Sequence, residues 1–198
     1  MAKRSTSTMQ MILSVVVICA VAAAGLALTY AVTKDRISAQ DREAQLKALK
    51  LAYPGVDEFD SVSSDALTLA QRAAGEVPVY GVYKALEGGQ QVGWAVIVGP
   101  RGYGGPIRMV VGLDRDGKVT GISIVAMNET PGLGTQIVEK ESFLEQFIGM
   151  ESETAAEALK DVDMITGATK SSRGARHGVE AATLVYNEVL ESQGGATQ

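Results

Sequence analysis

The residues with the most chemical promise stand together near the C-terminal end, in Asp163-Met164-Ile165-Thr166-Gly167-Ala168-Thr169-Lys170-Ser171-Ser172. Hydroxyl-bearing side chains flank two small residues there, just ahead of a long stretch of helical composition. A helix mouth suits an anion, because its first N–H groups lack intrahelical acceptors and the macrodipole is positive at that end. Gly167 and Ala168 keep bulk away from an approaching phosphate, while Thr166, Ser171 and Ser172 could donate to its oxygens. Lys170 could offset its charge or simply be solvated. A plainer reading is that T-G-A-T caps the helix, since Ser and Thr are frequent N-cap residues. The two readings are compatible.

Two glycine-rich loops could bring backbone close to the same ligand: Arg101-Gly102-Tyr103-Gly104-Gly105-Pro106 and Glu129-Thr130-Pro131-Gly132-Leu133-Gly134. Both also read as ordinary turns. Neither is a dinucleotide fingerprint, because the first lacks the third glycine and its Pro106 leads into a strand pattern where a helix should begin. Other chemistries find little support. His177 is the only histidine, T-G-A-T is no nucleophile elbow, and the acidic residues show no metal-ligand spacing. The single cysteine, Cys19, excludes an intrachain disulfide, a Cys-ligated zinc site or an iron–sulfur cluster.

The string D-M-I-T-G-A-T-K-S resembles the flavinylation motif of FMN-binding domains, approximately D-x-x-[S/T]-G-A-[T/S]-x-[S/T], with every fixed position matched. The resemblance implies FMN held covalently through a phosphoester bond to Thr169, installed by an ApbE-type flavin transferase that uses FAD. Asp163 and the T-G-A core, Gly167 included, would be what the transferase reads. The two loops are similar to those that surround the flavin in this family, which implicates Tyr103, Gly104, Glu129, Thr130, Gly132, Leu133 and Gly134 beside Thr166, Ala168, Ser171 and Ser172. Leu133 and Met164 are candidates to face the ring. With one N-terminal span followed by one such domain, the chain is similar to the G subunits of Rnf electron-transport complexes.

That likeness implies an electron carrier within an ion-translocating ferredoxin:NAD oxidoreductase, with other complex subunits in the membrane as partners and no stand-alone catalysis. The nearest alternative is the C subunit of a sodium-pumping NADH:quinone reductase. A membrane-tethered binding or sensory domain without redox chemistry is the reading from another class.

The elements that must position these residues are legible from pattern. Met9 to Val32 carries no charge and would be about 36 Å long as a helix, enough to cross a hydrocarbon core of about 30 Å. An uncleaved anchor is expected rather than a signal peptide, whose apolar core is shorter. Lys3 and Arg4 precede the span, and Lys34, Arg36, Arg42 and Lys47 follow it, so charge alone leaves its direction open. The resemblance implies a cytoplasmic N-terminus and a domain outside the cytoplasmic membrane. From Asp35 on there are 15 basic and 23 acidic residues, a net charge of −8, which argues against nucleic acid as a partner.

After the anchor (1–34), residues 35–75 are expected to form a helical stalk stopped by Pro54-Gly55, then a short helix near 66–74. The FMN-binding domain is expected over 76–192, with a tail at 193–198. Val79–Ala85, Val92–Val98, Ile107–Leu113 and Val119–Met127 alternate as half-buried strands. Gly88-Gly89 and Asp114–Lys118 separate them as hairpin turns, which indicates an antiparallel sheet. Helices are expected at Ser142–Ile148, at Glu153–Asp161 with Ser152 as cap, and from about Ser171 to Ser192. On the last, Val179, Ala182, Tyr186, Val189 and Leu190 form a stripe for the sheet. The fold class is α+β, an antiparallel sheet packed with helices.

Overall fold

The computed structural model describes residues 8–56 and 58–194. Lys3, Arg4 and the last four residues of the expected tail lie outside that range. The chain divides into two units, Met1–Glu43 and Ala44–Gln198.

The first unit is helical over its described residues. Helix α1 is assigned over Thr8–Ala52, and from Met9 onward it is long and apolar enough to cross a membrane, with a window of mean hydropathy 2.7. Its large apolar side chains, from Met9 through Val32, are exposed. A run of Leu, Val and Ile facing outward all round has no place in water and suits hydrocarbon.

The second unit is built on a five-stranded antiparallel meander, β1 (Glu58–Ser61), β2 (Val79–Glu87), β3 (Gln90–Val98), β4 (Arg108–Asp114) and β5 (Val119–Ala126), in that spatial order. The β2–β3 turn uses Gly88 and Gly89 at φ 57° and 81°, the left-handed pair that a two-residue hairpin requires. At the β4–β5 turn, Asp114 Oδ1 accepts from the N–H groups of Asp116 and Lys118 at 3.0 and 2.8 Å. All four expected strands are present within two residues of their expected bounds. β1 was not anticipated, because Glu-Phe-Asp-Ser is a mostly exposed edge with no alternation to betray it.

Both faces of the sheet are covered. On one, Trp94, Val96, Val98, Met109, Val111 and Leu113 pack against α2 (Ser64–Ala73), α3 (Gln136–Glu139), α4 (Glu141–Glu145), α5 (Ala155–Ala158) and the long α6 (Thr169–Val185). The expected stripe of Val179, Ala182, Tyr186, Val189 and Leu190 is buried there. On the other face Ala95, Ile97 and Val110 meet Ala48, Leu49 and Ala52 from the end of α1. The compact unit therefore takes in the last helical turns before Pro54, which the pattern had placed in a stalk.

Three local differences have physical causes. Ser152 does not cap a helix: α5 begins at Ala155 behind Thr154, which makes no side-chain cap bond, and Ser152 Oγ is buried without a partner among the described residues. Its carbonyl instead accepts from Asn187 Nδ2 at 3.0 Å. The last helix widens into a π-turn over Tyr186–Leu190 before α7 (Glu191–Gly194). Within it the Tyr186 hydroxyl donates to the Arg115 carbonyl. Finally, α6 starts at Thr169 rather than Ser171, and this alters the reading of the motif.

Candidate functional site

The residue before α6 in N-cap position is Ala168, which has no side-chain acceptor and makes no cap bond. Neither Thr166 nor Thr169 caps the helix, so the capping reading of T-G-A-T is not realised. Thr169 occupies the first helical position with its side chain exposed. Among the described residues nothing accepts from the backbone N–H groups of Thr169, Lys170 and Ser171, which leaves the positive end of a 17-residue helix open to an anion. Gly167 turns the chain into that helix at φ +87°, a conformation that costs an L side chain about 1–2 kcal/mol.

A cleft of about 430 Å³ lies over this helix mouth, within the range of about 300–1,000 Å³ usual for cofactor pockets. It is lined by Gly167, Ala168, Thr169, Lys170 and Ser171 from the motif, by Glu129, Thr130, Leu133 and Gly134 from the second glycine loop, and by Tyr103 from the first. Leu133 and Tyr103 are exposed at 51% and 69%, apolar surface displayed at the cleft. Lys170 Nζ stands 5.2 Å from the centre of the Tyr103 ring, a cation–π contact that holds its charge beside the helix mouth.

Other residues singled out from sequence fall elsewhere. Thr166, Gly132, Gly104 and Met164 do not line the cleft. Ser172 is fully buried, and its Oγ accepts from the N–H of Ile165 at 3.2 Å, tying down the motif from behind. Ser171 Oγ donates to Glu129 Oε2 at 2.8 Å, so it is already engaged. Asp163 is exposed, and its backbone is fixed by Gln146, whose Oε1 accepts from the Asp163 N–H at 2.8 Å. Pattern reading passed over Gln146, because an amide beside a short helix carries no local signal. The engagement of Glu129 and Ser171 across 42 positions was equally invisible, since no local spacing predicts it.

The site is a cleft with glycine-rich walls, apolar surface at its edge and an anion-ready helix mouth bearing an exposed hydroxyl. These parts fit a flavin mononucleotide, which needs apolar room for its ring and donors for its phosphate. A family model described as the FMN-binding domain matches residues 102–183, which contain the motif, the second loop and most of the first.

A second model, the RnfG N-terminal region, matches residues 13–51. The chain is 32% identical over 185 residues to the G subunit of the Na(+)-translocating ferredoxin:NAD(+) oxidoreductase complex of Acetobacterium woodii, covering 87% of this chain and 88% of that protein. It is 33% identical to the G subunit of an ion-translocating oxidoreductase complex of Aliivibrio fischeri, covering 91% of each. Among solved structures, NqrC of Shewanella oneidensis aligns at a TM-score of 0.47 and 20% identity, over 59% of this chain and 61% of that one. The chain belongs to the family of Rnf complex G subunits, with an FMN-binding domain and an apolar N-terminal helix.

Proposed function

We propose that this protein is the membrane-anchored electron carrier of an Rnf-type ion-translocating ferredoxin:NAD oxidoreductase, with FMN attached covalently to Thr169. The observation that carries the attachment is the placement of Thr169: an exposed hydroxyl at the first position of α6, on the wall of the cleft, beside N–H groups without acceptors. The expected donor is FAD, delivered by an ApbE-type transferase. Thr169 Oγ forms a bond to the phosphorus of the FMN half, the pyrophosphate P–O bond breaks, AMP leaves, and the hydroxyl proton is lost. FMN, once bound, supplies reversible electron uptake and release.

The chain's own residues then bind and shield. The open N–H groups of α6 and the ammonium of Lys170 balance phosphate charge. Leu133 and Tyr103 offer apolar surface to the ring, and exposed Asp163 together with the Thr166-Gly167-Ala168 turn gives the transferase a feature to read. Covalency prevents loss of a cofactor facing a compartment without an assured flavin pool. Partners are the other subunits of the complex in the membrane. The match of residues 13–51 to the RnfG N-terminal region supports this complex over a sodium-pumping NADH:quinone reductase.

Intact-mass measurement after coexpression with a transferase should show an addition of FMN less one water. Thr169→Val should lose it along with flavin fluorescence on a denaturing gel; retained fluorescence in that variant would remove Thr169 from its role. For the side of the membrane, we infer a cytoplasmic N-terminus and an extracytoplasmic FMN domain. Added protease should digest the region after Val32 in spheroplasts and spare it in inverted vesicles, and the opposite pattern would reverse the orientation.

A further inference from the structure

Glu129 is buried at 8% exposure, yet its carboxylate accepts from three donors. Oε1 accepts from the backbone N–H groups of Tyr103 and Gly104 at 2.9 and 3.1 Å, and Oε2 accepts from the Ser171 hydroxyl at 2.8 Å. Burying a carboxylate is costly unless donors replace its water, and hydrogen bonds to a charged acceptor are the strong ones. Here the donors come from two separate elements, the first glycine loop and the first turn of α6, while Glu129 itself opens the second loop. One side chain thus ties together three segments of the cleft wall.

The surrounding glycines fit that arrangement. A Cβ on Gly102 would stand 2.2 Å from Glu129 Oε1, and one on Gly134 would stand 2.3 Å from Oε2 and 2.8 Å from Ser171 Oγ. A Cβ on Gly104 would stand 1.9 Å from the Asn128 carbonyl oxygen. The two loops are glycine-rich where they close on this carboxylate. Three of the carboxylate's roughly four acceptor sites are held by donors from the protein, so most of its hydrogen-bonding capacity is spent on the cleft wall.

We propose that Glu129 is a positioning residue, a clasp that assembles the cleft before any cofactor arrives and presents the Thr169 hydroxyl in fixed register for transfer. The second half rests on the proposed flavinylation; the first does not. It separates two tasks within the motif region: Asp163 and the T-G-A turn are offered to the transferase, whereas Glu129 acts from behind, through Tyr103, Gly104 and Ser171.

The test uses the full chain in detergent, produced without a transferase, and follows amide hydrogen exchange by mass spectrometry. Glu129→Ala should speed exchange in the segment 101–106 by about tenfold or more, as expected for losing hydrogen bonds to a charged group, with the β3 segment 92–98 unchanged. Glu129→Gln should restore most of the protection, because its amide oxygen can still accept both N–H groups. Ser171→Ala removes one donor and should loosen the loop by a smaller factor, which keeps the test valid if Glu129→Ala fails to fold. Unchanged exchange at 101–106 in Ser171→Ala and in a folded Glu129→Ala would overturn the clasp. With a transferase and FAD, Glu129→Ala should lower kcat for flavinylation about tenfold at unchanged KM for the protein, with rescue by Glu129→Gln. A raised KM with unchanged kcat would make Glu129 part of the recognised surface instead and overturn the positioning role. Loosened loops in a chain whose wild type takes up no flavin would uphold the clasp and sink the flavin reading.

Discussion

Glycines gather at two places in the compact unit, and what stands next to each set differs. On the face of the sheet away from α6, Gly112 and Gly121 pair across β4 and β5, and a Cβ on either would lie 2.4 or 2.6 Å from the carbonyl oxygen of Ala52. Thr120 Oγ1 donates to that same oxygen at 3.1 Å. The end of α1 is thereby seated on bare backbone. Around Glu129, by contrast, the atoms crowding Gly102 and Gly134 belong to side chains, and only Gly104 of that set meets backbone, at the Asn128 carbonyl. A helix end held by its own hydrogen bonds and a packed sheet cannot move aside easily, whereas a carboxylate can rotate. The seat should therefore govern stability, and the clasp should govern the site.

The largest effect that would break this contrast is expected at the seat. Gly112→Ala drives a methyl into the Ala52 carbonyl and strains the Thr120 bond, an overpacking cost of about 3 kcal/mol, the upper end of that class. For a unit of this size the melting temperature should fall by roughly 6–12 °C. The folded fraction should still accept flavin at the wild-type level. A melting temperature equal to that of the wild type would mean that the helix end is not firmly seated.

Gly134→Ala should behave in the opposite sense. Its new methyl meets Glu129 Oε2 and Ser171 Oγ, which can swing away, and Glu129 Cβ at 2.7 Å, which must shift with its loop, so stability should drop by less, about 1–2 kcal/mol. Swinging away breaks the clasp, and covalent flavin should form several-fold more slowly. Should Gly134→Ala destabilise as much as Gly112→Ala while leaving flavinylation untouched, the two glycine sets would be doing the same job.

The sequence revealed these two regions unequally. The meander was legible because alternation in Val92–Val98 and Ile107–Leu113 and the Gly88-Gly89 turn are local signals of period two. The stripe running from α6 into the π-turn was legible for the same reason, from its helical spacing. The motif placed Thr169 correctly next to a helix start, though two residues of helix were missed, and with them the fact that Ala168 stands in the cap position. What stayed hidden was non-local: Glu129 reaching Ser171, Gln146 fixing Asp163, and the last turns of the supposed stalk packing on Ala95, Ile97 and Val110. Gly112 and Gly121 lie inside two of the expected strands without any local signal of their own, and the Ala52 backbone that lands on them accounts for their lack of a side chain.

The smallest expected effect sharpens the comparison through pH. Tyr53, just beyond the seat, donates its hydroxyl to the Val92 carbonyl at 2.7 Å, and its pKa is pushed above the ordinary phenol value by burial first and by Asp114 next, with Arg115 opposing. Tyr186, on the other side of the sheet, is pushed in the same direction by burial and then by Glu191. In both cases the folded protein holds a proton that the unfolded chain releases near pH 10. The linked stability is therefore complete below about pH 10 and is lost as pH rises through the raised folded values. Thermal melts between pH 8 and 11 should show an alkaline decline that Tyr53→Phe and Tyr186→Phe each flatten. Neither phenol lines the cleft, so segment 101–106 should keep its protection relative to intrinsic exchange while global stability falls. If loop protection instead decays in step with the melts, the clasp and the seat are one cooperative structure and the contrast between them disappears.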